Sequence, residues 1–170
     1  MLIALVAVIG VFHGVSIGLG MDLACCTDIR FASADTRFSV KEVDIGIPAD
    51  IGTLARLPKI VGSNSWVKDV CLTARYFDAK EAQAVGLVSQ VYENKAKTLE
   101  AAIQLGKLIA SKSPIAVQGT KELLNYGREH GTHDALHYTK AWNSVAVQAE
   151  DFPKALMSGI SKSKPTFSKL

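Results

Sequence analysis

From Leu2 to Phe12 the chain is almost continuously apolar, rich in Val and Ile, and the run stops at His13-Gly14. An unbroken apolar run of that length, closed by glycine, predicts a strand buried on both faces, as in a parallel sheet. A glycine-rich loop, Gly14-Val-Ser-Ile-Gly-Leu-Gly20, leads into Met21-Asp-Leu-Ala-Cys-Cys26, which holds good helix formers. Strand, tight loop and helix in that order aim free backbone N–H groups at an anion. Short β-like pieces follow at Asp28 to Ala32 and Thr36 to Val40, separated by a polar turn at Ser33-Ala-Asp35.

The stretch Glu42 to Gly52 carries two glycines, a proline and alternating acids, and reads as loop. Helices are expected at Thr53 to Leu57 and at Ser63 to Leu72, the second with Ser63 as N-cap. Asp78-Ala-Lys-Glu81 has the spacing of a capping box, Gly86 closes the helix it starts, and Leu87 to Tyr92 reads as a strand. Beyond Asn94 the period lengthens to that of helices. Leu99, Ala102, Ile103, Gly106, Ile109 and Ala110 share one face; Ala135, Tyr138, Trp142 and Val145 share another; Pro114 opens the helix between them. Residues 1–94 are therefore expected to form an α/β core piece and residues 95–170 an all-helical region.

Composition narrows the function classes. In 170 residues, 48% are hydrophobic and 21% charged, enough apolar surface for a core. The net charge of +3 is scattered, with a mildly basic end at Lys154, Lys162, Lys164 and Lys169. That balance suits a phosphate-bearing small molecule, and no nucleic-acid module signature is present. Three cysteines, two of them adjacent (Cys25, Cys26), make a poor disulfide framework and point to a reducing compartment. The segment Met1 to Met21 lacks acids and bases, which is the length of a signal or membrane segment. It has no basic start, however, and its second half is broken by glycines, so a buried strand is preferred.

Three acids carry the candidate chemistry: Asp22 in the helix after the glycine loop, and Glu42 and Asp50 in the loop after the second β-like piece. Carboxylates in apolar or glycine-rich surroundings can exchange protons with carbon acids. Equally, Asp22 can simply complement a helix start, and Glu42 and Asp50 can be solvated beside Lys41. The glycine loop matches neither a Walker loop nor G-x-G-x-x-G, since Leu23 occupies the last position. Gly14-Val-Ser16-Ile-Gly18 does match G-x-S-x-G, with Asp44 or Asp50 and His130 as nominal partners for a serine nucleophile. His133 and His137 stand four apart on a predicted helix, but no third ligand accompanies them, so no metal is expected. Cys25, Cys26 and Cys71 read as small core residues.

The run from His13 through Gly18-Leu-Gly-Met-Asp22-Leu to Thr27-Asp-Ile-Arg30 resembles the signature of the enoyl-CoA hydratase/isomerase (crotonase) superfamily. Further pieces match in order: Phe38 to Pro48, Leu54-Ala-Arg-Leu-Pro58, Ala79 to Val88, and Lys112-Ser-Pro-Ile-Ala116. The resemblance implies the second half of a crotonase-type ββα superhelix followed by a helical trimerisation region, in a homotrimer or hexamer. It implies catalysis on an acyl-CoA thioester with no cofactor and no metal. Asp22 and Glu42 match the acids of a hydratase; a third acid at Asp50, where hydratases carry glycine, looks like the dienoyl-CoA isomerases of fatty-acid β-oxidation. Those shift a 3,5-dienoyl-CoA to the 2,4-isomer.

The resemblance further makes the Leu19 backbone N–H one donor of an oxyanion hole, where the family has glycine. The chain then starts at the family's mid-core strand and lacks the upstream donor. It is expected to be N-terminally truncated, and on its own either poorly active or a non-catalytic remnant that co-assembles with full-length subunits. Hydration of enoyl-CoA is the other alternative. Ser168-Lys169-Leu170 resembles a peroxisomal address read by an import receptor. A mitochondrial presequence on a longer form is compatible with it; a membrane span or a nucleic-acid partner is not expected.

Overall fold

A computed structural model describes residues 5–168. The chain packs as two units, one comprising residues 8–104 and the other residues 5–7 with 105–168.

In the first unit, the first four strands are dealt alternately to two small sheets, and the last two add one strand to each. β1 (Ile9–Phe12), β3 (Ile29–Ser33) and β6 (Gln90–Tyr92) form one sheet in the order β1-β3-β6; β2 (Val15–Ile17), β4 (Arg37–Ser39) and β5 (Phe77–Asp78) form the other in the order β2-β4-β5. The first sheet is parallel throughout, with Ile9 opposite Ile29 and Phe31 opposite Gln90. In the second, β2 runs parallel to β4 and β5 antiparallel to it. Two strands, each entering a different sheet, and then a helix make one turn of a ββα superhelix. α1 (Leu19–Cys26) closes the turn begun by β1 and β2; α2 (Thr53–Ile60) and α3 (Asn64–Thr73) follow β3 and β4.

The core lies between these layers. Phe38, fully buried, has Phe12 and Phe77 rings at 5.9 and 5.4 Å, and Trp66 meets Phe77 edge-on at 4.9 Å. Met21, Leu57, Val70 and Leu87 fill the remainder. The residues of the Thr27-Asp-Ile-Arg30 motif are structural fasteners. Asp28 Oδ2 accepts from the Val8 N–H at 2.7 Å, and Arg30 donates through Nε to the Leu87 carbonyl at 2.6 Å and through Nη1 to that of Thr27 at 2.5 Å. Arg30 thus satisfies carbonyls that the end of α1 and the turn after Ala84 leave without ladder partners.

Several local expectations hold. Ser63 Oγ accepts from the Trp66 N–H at the start of α3, and Pro114 is the first residue of α6 (Pro114–Gly127) behind an N-cap at Ser113. Asp78 caps α4 (Ala79–Ala84) by accepting from the Glu81 N–H, and Gly86 follows at φ 83°. The capping box is only half made, because the Glu81 carboxylate turns away to Arg75 and Trp66. Those are charge-assisted or indole donors, stronger partners than one backbone amide.

Other expectations need correction. Of the expected strand Leu2 to Phe12, residues 1–4 lie outside the described residues, and Leu5 and Val6 are exposed. Among the described residues of that run, only 9–12 have a ladder partner, β3. At Leu87 to Tyr92 only the last three residues pair; Leu87 and Val88 are buried in the turn after α4 instead. The helix expected from Met21 begins at Leu19, and the expected loop after Lys41 opens with a 3-10 turn, Glu42–Ile45.

The second unit is helical: the end of α5 (Lys95–Ala110), then α6, α7 (Thr132–Ala146) and α8 (Asp151–Ile160). α6 meets α7 closely, for a Cβ on Gly119 would fall 2.4 Å from Trp142 Nε1. Tyr126 lies between His130 and Tyr138, and Ser113 Oγ donates to Asp151 Oδ2 at 2.6 Å. On α7 the packed positions are Ala135, Tyr138 and Trp142, while Val145 is exposed. On α5 the inward positions are Thr98 and Ala102; Leu99 and Ile103, expected on that face, are about half exposed. No helix among the described residues is long and apolar enough to cross a membrane.

Candidate active site

The site is built where β2 passes into α1. Gly18, the N-cap of α1, has φ 52° and ψ −119°, a conformation that is open essentially to glycine alone. Its N–H donates to the Ser39 carbonyl at 3.2 Å and its carbonyl accepts from Met21 at 2.7 Å. The left-handed demand of the loop therefore falls on Gly18, not on Leu19, and a leucine is tolerated beside it. Leu19 is the first residue of α1, so its N–H has no intrahelical acceptor, and its side chain is exposed. Gly20 serves a different need: a Cβ there would sit 2.9 Å from Ser16 Oγ.

Against this turn sits Glu42. Its residue is 9% exposed, its Oε1 lies 3.3 Å from the point where a Cβ on Gly18 would begin, and its buried Oε2 has no hydrogen-bond partner among the described residues. A buried carboxylate oxygen with nothing to accept from is costly unless the site is meant to receive a ligand or a proton. Its charge also reaches Cys71, where it adds to burial in pushing that thiol up.

The backbone under Glu42 is tied down on both sides. Ser39 Oγ and Lys41 Nζ both donate to the Ala74 carbonyl, at 2.7 and 2.9 Å, and Lys41 also pairs with Asp44 at 2.9 Å. Ala74, which ends α3, takes φ 50°, a rare conformation for a residue with a Cβ. Its carbonyl is thereby presented to β4 and the 3-10 turn. Nothing in the order of residues signals that Ala74 would serve Ser39 and Lys41; the link spans more than thirty positions.

Asp22 is 2% exposed and points from α1 to the start of α2, where its Oδ1 accepts from the Thr53 N–H at 2.9 Å and from Thr53 Oγ1 at 2.7 Å. Thr53, itself 1% exposed, read in the sequence only as a helix start. Asp50, by contrast, is exposed. Of the three candidate acids, Asp22 and Glu42 are therefore buried and Asp50 is at the surface. The loop turns Ala49 inward and Asp50 outward, and Gly52 at φ 133° redirects the chain into α2 immediately afterwards.

The competing constellations do not assemble. Ser16 lies inside β2, opposite Phe38 and largely buried, not on the exposed strand-to-helix elbow that a serine nucleophile occupies. Asp44 is paired with Lys41, and the Tyr126 carbonyl, 2.8 Å from His130 Nδ1, is the acceptor of their hydrogen bond, with the His130 ring stacked on Tyr126. The His133 and His137 rings are 4.5 Å apart on α7, and no three His, Cys, Asp or Glu side chains converge among the described residues. Cys25 is buried, and burial pushes its thiol up to about 12; Cys26 is half-buried, and all three cysteines are free. Lys169 and Leu170 lie outside the described residues.

Comparison with known proteins agrees with this geometry. Over 166 residues the chain is 45% identical to the mitochondrial Delta(3,5)-Delta(2,4)-dienoyl-CoA isomerase of Homo sapiens, covering 96% of this chain and 51% of that protein. Over 163 residues it is 43% identical to the peroxisomal Delta(3,5)-Delta(2,4)-dienoyl-CoA isomerase of Arabidopsis thaliana, covering 96% of this chain and 58% of that protein. The chain thus spans about half the length of the curated relatives it matches. Its structure superimposes on the crystal structure of enoyl-CoA hydratase from Bacillus anthracis with a TM-score of 0.86 at 28% identity, over 91% of this chain and 59% of that one. Residues 3–169 match the Enoyl-CoA hydratase/isomerase family model, and with its glycine turn, its strands shared between two sheets and its buried glutamate the chain belongs to that family.

Proposed function

We propose that this chain carries proton-transfer residues of a dienoyl-CoA isomerase, acting on a 3,5-dienoyl-CoA to give the 2,4-isomer. The observation that carries the reading is Glu42: buried against the Gly18–Leu19 turn, with one carboxylate oxygen free to take a proton. In the proposed reaction the thioester oxygen accepts a hydrogen bond from the Leu19 N–H while Glu42 removes a proton from carbon 2. The electron pair spreads through the diene to carbon 6 as a dienolate, which the backbone donor stabilises. Asp50 returns a proton at carbon 6, and the thioester carbonyl re-forms. The step starts with Asp50 carrying the proton it gives and ends with Glu42 carrying the one it takes; exchange of both with solvent restores the starting state, so no metal or redox partner is needed. Assignment of Glu42 to carbon 2 and Asp50 to carbon 6 follows from Glu42 sitting at the donor turn; the reverse assignment is distinguished by experiment below. The resemblance would have Asp22 orient or polarise Glu42; the hydrogen bonds of its Oδ1 go to Thr53.

Hydration of enoyl-CoA is a second reading, favoured by one observation: Asp50 is exposed, as an incidental residue would be. Names of the relatives weigh the other way. The two readings separate when the purified chain is given 3,5-dienoyl-CoA and, separately, 2-enoyl-CoA. The isomerase reading expects growth of the conjugated 2,4-dienoyl absorbance; loss of enoyl absorbance with no conjugated product would replace it with hydration. Residual turnover is measurable even if one oxyanion donor is missing, since such a loss costs roughly 10²–10³ in rate.

The proposal extends to assembly and address. α8 exposes Phe152, Leu156, Met157 and Ile160, which supports docking of the helical region on further copies as a homotrimer or hexamer; native mass measurement tests it. Ser168-Lys169-Leu170 is proposed as a peroxisomal address, tested by moving it to a fluorescent carrier.

A further inference from the structure

We infer that Thr53 is a positioning residue: through Asp22 it fastens the loop that carries Asp50 to helix α1. The inference rests on the isomerase reading above and adds a residue to it.

Helix α2 has an unusual start. α2 opens at Gly52, which has no side chain to cap it, so the first N–H groups of the helix must find acceptors elsewhere. Asp22, thirty-one residues earlier and on another helix, supplies one. Its Oδ1 takes both the N–H and the hydroxyl of Thr53, and both residues are almost completely buried. A carboxylate receiving two donors at a helix N-terminus is held firmly, by hydrogen bonding and by the helix dipole together.

Asp50 stands three positions before Thr53. Between them Gly52 takes φ 133°, and Arg56 reaches back so that its Nη1 donates to the Ile51 carbonyl at 3.3 Å. A Cβ on Gly52 would fall 1.8 Å from that same Nη1, so the turn is closed around the guanidinium. Among the described residues, the segment from Asp50 to Thr53 is held by a buried fastening, Thr53 to Asp22, and by exposed hydrogen bonds from Arg56 to Ile51 and Gly52. Glu42 is held by a separate set of contacts, Ser39 and Lys41 on the Ala74 carbonyl. The two acids proposed for carbons 2 and 6 thus rest on independent supports, and only the Asp50 support runs through Thr53.

Independent supports make the inference testable by separating two steps of one reaction. Thr53→Val keeps the shape and the backbone N–H but removes the hydroxyl; Thr53→Ser keeps the hydroxyl. In Thr53→Val, amide hydrogen exchange of residues 50–56 should accelerate roughly tenfold or more, the size of one lost hydrogen bond to a charged group, with residues 42–45 unchanged. Isomerisation should fall at least roughly tenfold in kcat with KM little altered, while solvent-deuterium exchange at carbon 2 stays within about twofold, because Glu42 is undisturbed. Thr53→Ser should recover both. Equal loss of isomerisation and carbon-2 exchange in Thr53→Val, or unchanged protection of residues 50–56, would overturn the positioning role. If the unsubstituted chain shows neither isomerisation nor carbon-2 exchange, the isomerase reading itself falls and takes the role with it, an outcome distinct from a normal wild type with an unaffected variant.

Discussion

The Glu42 carboxylate and Gly18 are fitted to one another: Oε1 lies 3.3 Å from where any side chain at position 18 would begin, while Gly18 holds φ 52° and ψ −119°. The glycine is thus required twice over, by backbone conformation and by the space Glu42 occupies. Gly18→Ala should destabilise the chain by about 1–3 kcal/mol from the backbone alone and should displace Glu42 as well. Gly14→Ala is the comparison, since Gly14 has φ 62° but nothing within 4 Å of an added Cβ. Thermal unfolding should show losses in both variants, and proton exchange at carbon 2 of the dienoyl-CoA should be lost only in Gly18→Ala. Preserved exchange there would mean Glu42 does not depend on the turn.

Removing the acids one at a time assigns them. Glu42→Gln should abolish deuterium exchange at carbon 2 together with isomerisation, by at least the ~10² typical of losing a general base. Asp50→Asn should cut isomerisation by a similar factor and leave carbon-2 exchange in place. The opposite pattern reverses the assignment. Near-normal isomerisation in Asp50→Asn, with hydration present, would favour the hydratase reading that its exposure allows.

Acid stability should depend on Glu81. Arg75 pairs with it at 2.6 Å and, with the Trp66 indole N–H, holds its carboxyl below the usual glutamate range. A carboxyl depressed in the folded state contributes stability that is present above its unfolded value, near 4.5, and is lost as pH falls through the folded value. Unfolding followed by urea between pH 6 and 3 should therefore show a smaller acid loss in Glu81→Gln than in the parent. Identical acid limbs would place the sensitivity elsewhere.

At the alkaline end Cys25 has the opposite sign. Burial keeps its thiol protonated up to about 12, against an ordinary value of 9.0. The unfolded chain loses that proton first, so stability contributed by the neutral, buried thiol should decline as pH rises from about 9 to about 12. In the native chain at pH 8, thiol reagents should modify half-buried Cys26 well before Cys25 and Cys71. Rapid labelling of Cys25 would contradict its place in the core.

Asp22→Ala removes the acceptor that Thr53 uses, leaving a buried N–H and hydroxyl unmatched, and should cost roughly 1–3 kcal/mol. Asp22→Asn keeps an acceptor oxygen and should cost less. Chemical denaturation of both variants checks the order; equal losses would show that the charge, not the hydrogen bonding, holds α2.

Much of this protein is legible from residues taken a few at a time. Caps at Ser63, Ser113 and Asp78, the helix opened by Pro114 and the stop at Gly86 are local events, decided by side chains within three positions of the backbone groups they satisfy. The glycine turn before α1 and the acids Asp22 and Glu42 were visible in the same way, because short motifs carry them. Tertiary structure alone decided the rest. Among the described residues of the first apolar run only 9–12 became strand, in register with β3; Leu87 and Val88 went to the core in a turn, where Arg30 takes the Leu87 carbonyl. Asp22 differs from Asp50 because Thr53 meets the first and the loop turns the second outward, though the chain spells both as acids beside apolar neighbours. Hydrophobic periodicity reports which residues seek burial, but the partner of a polar group thirty positions away is set by how strands are dealt between two sheets, and that is a property of the packed whole.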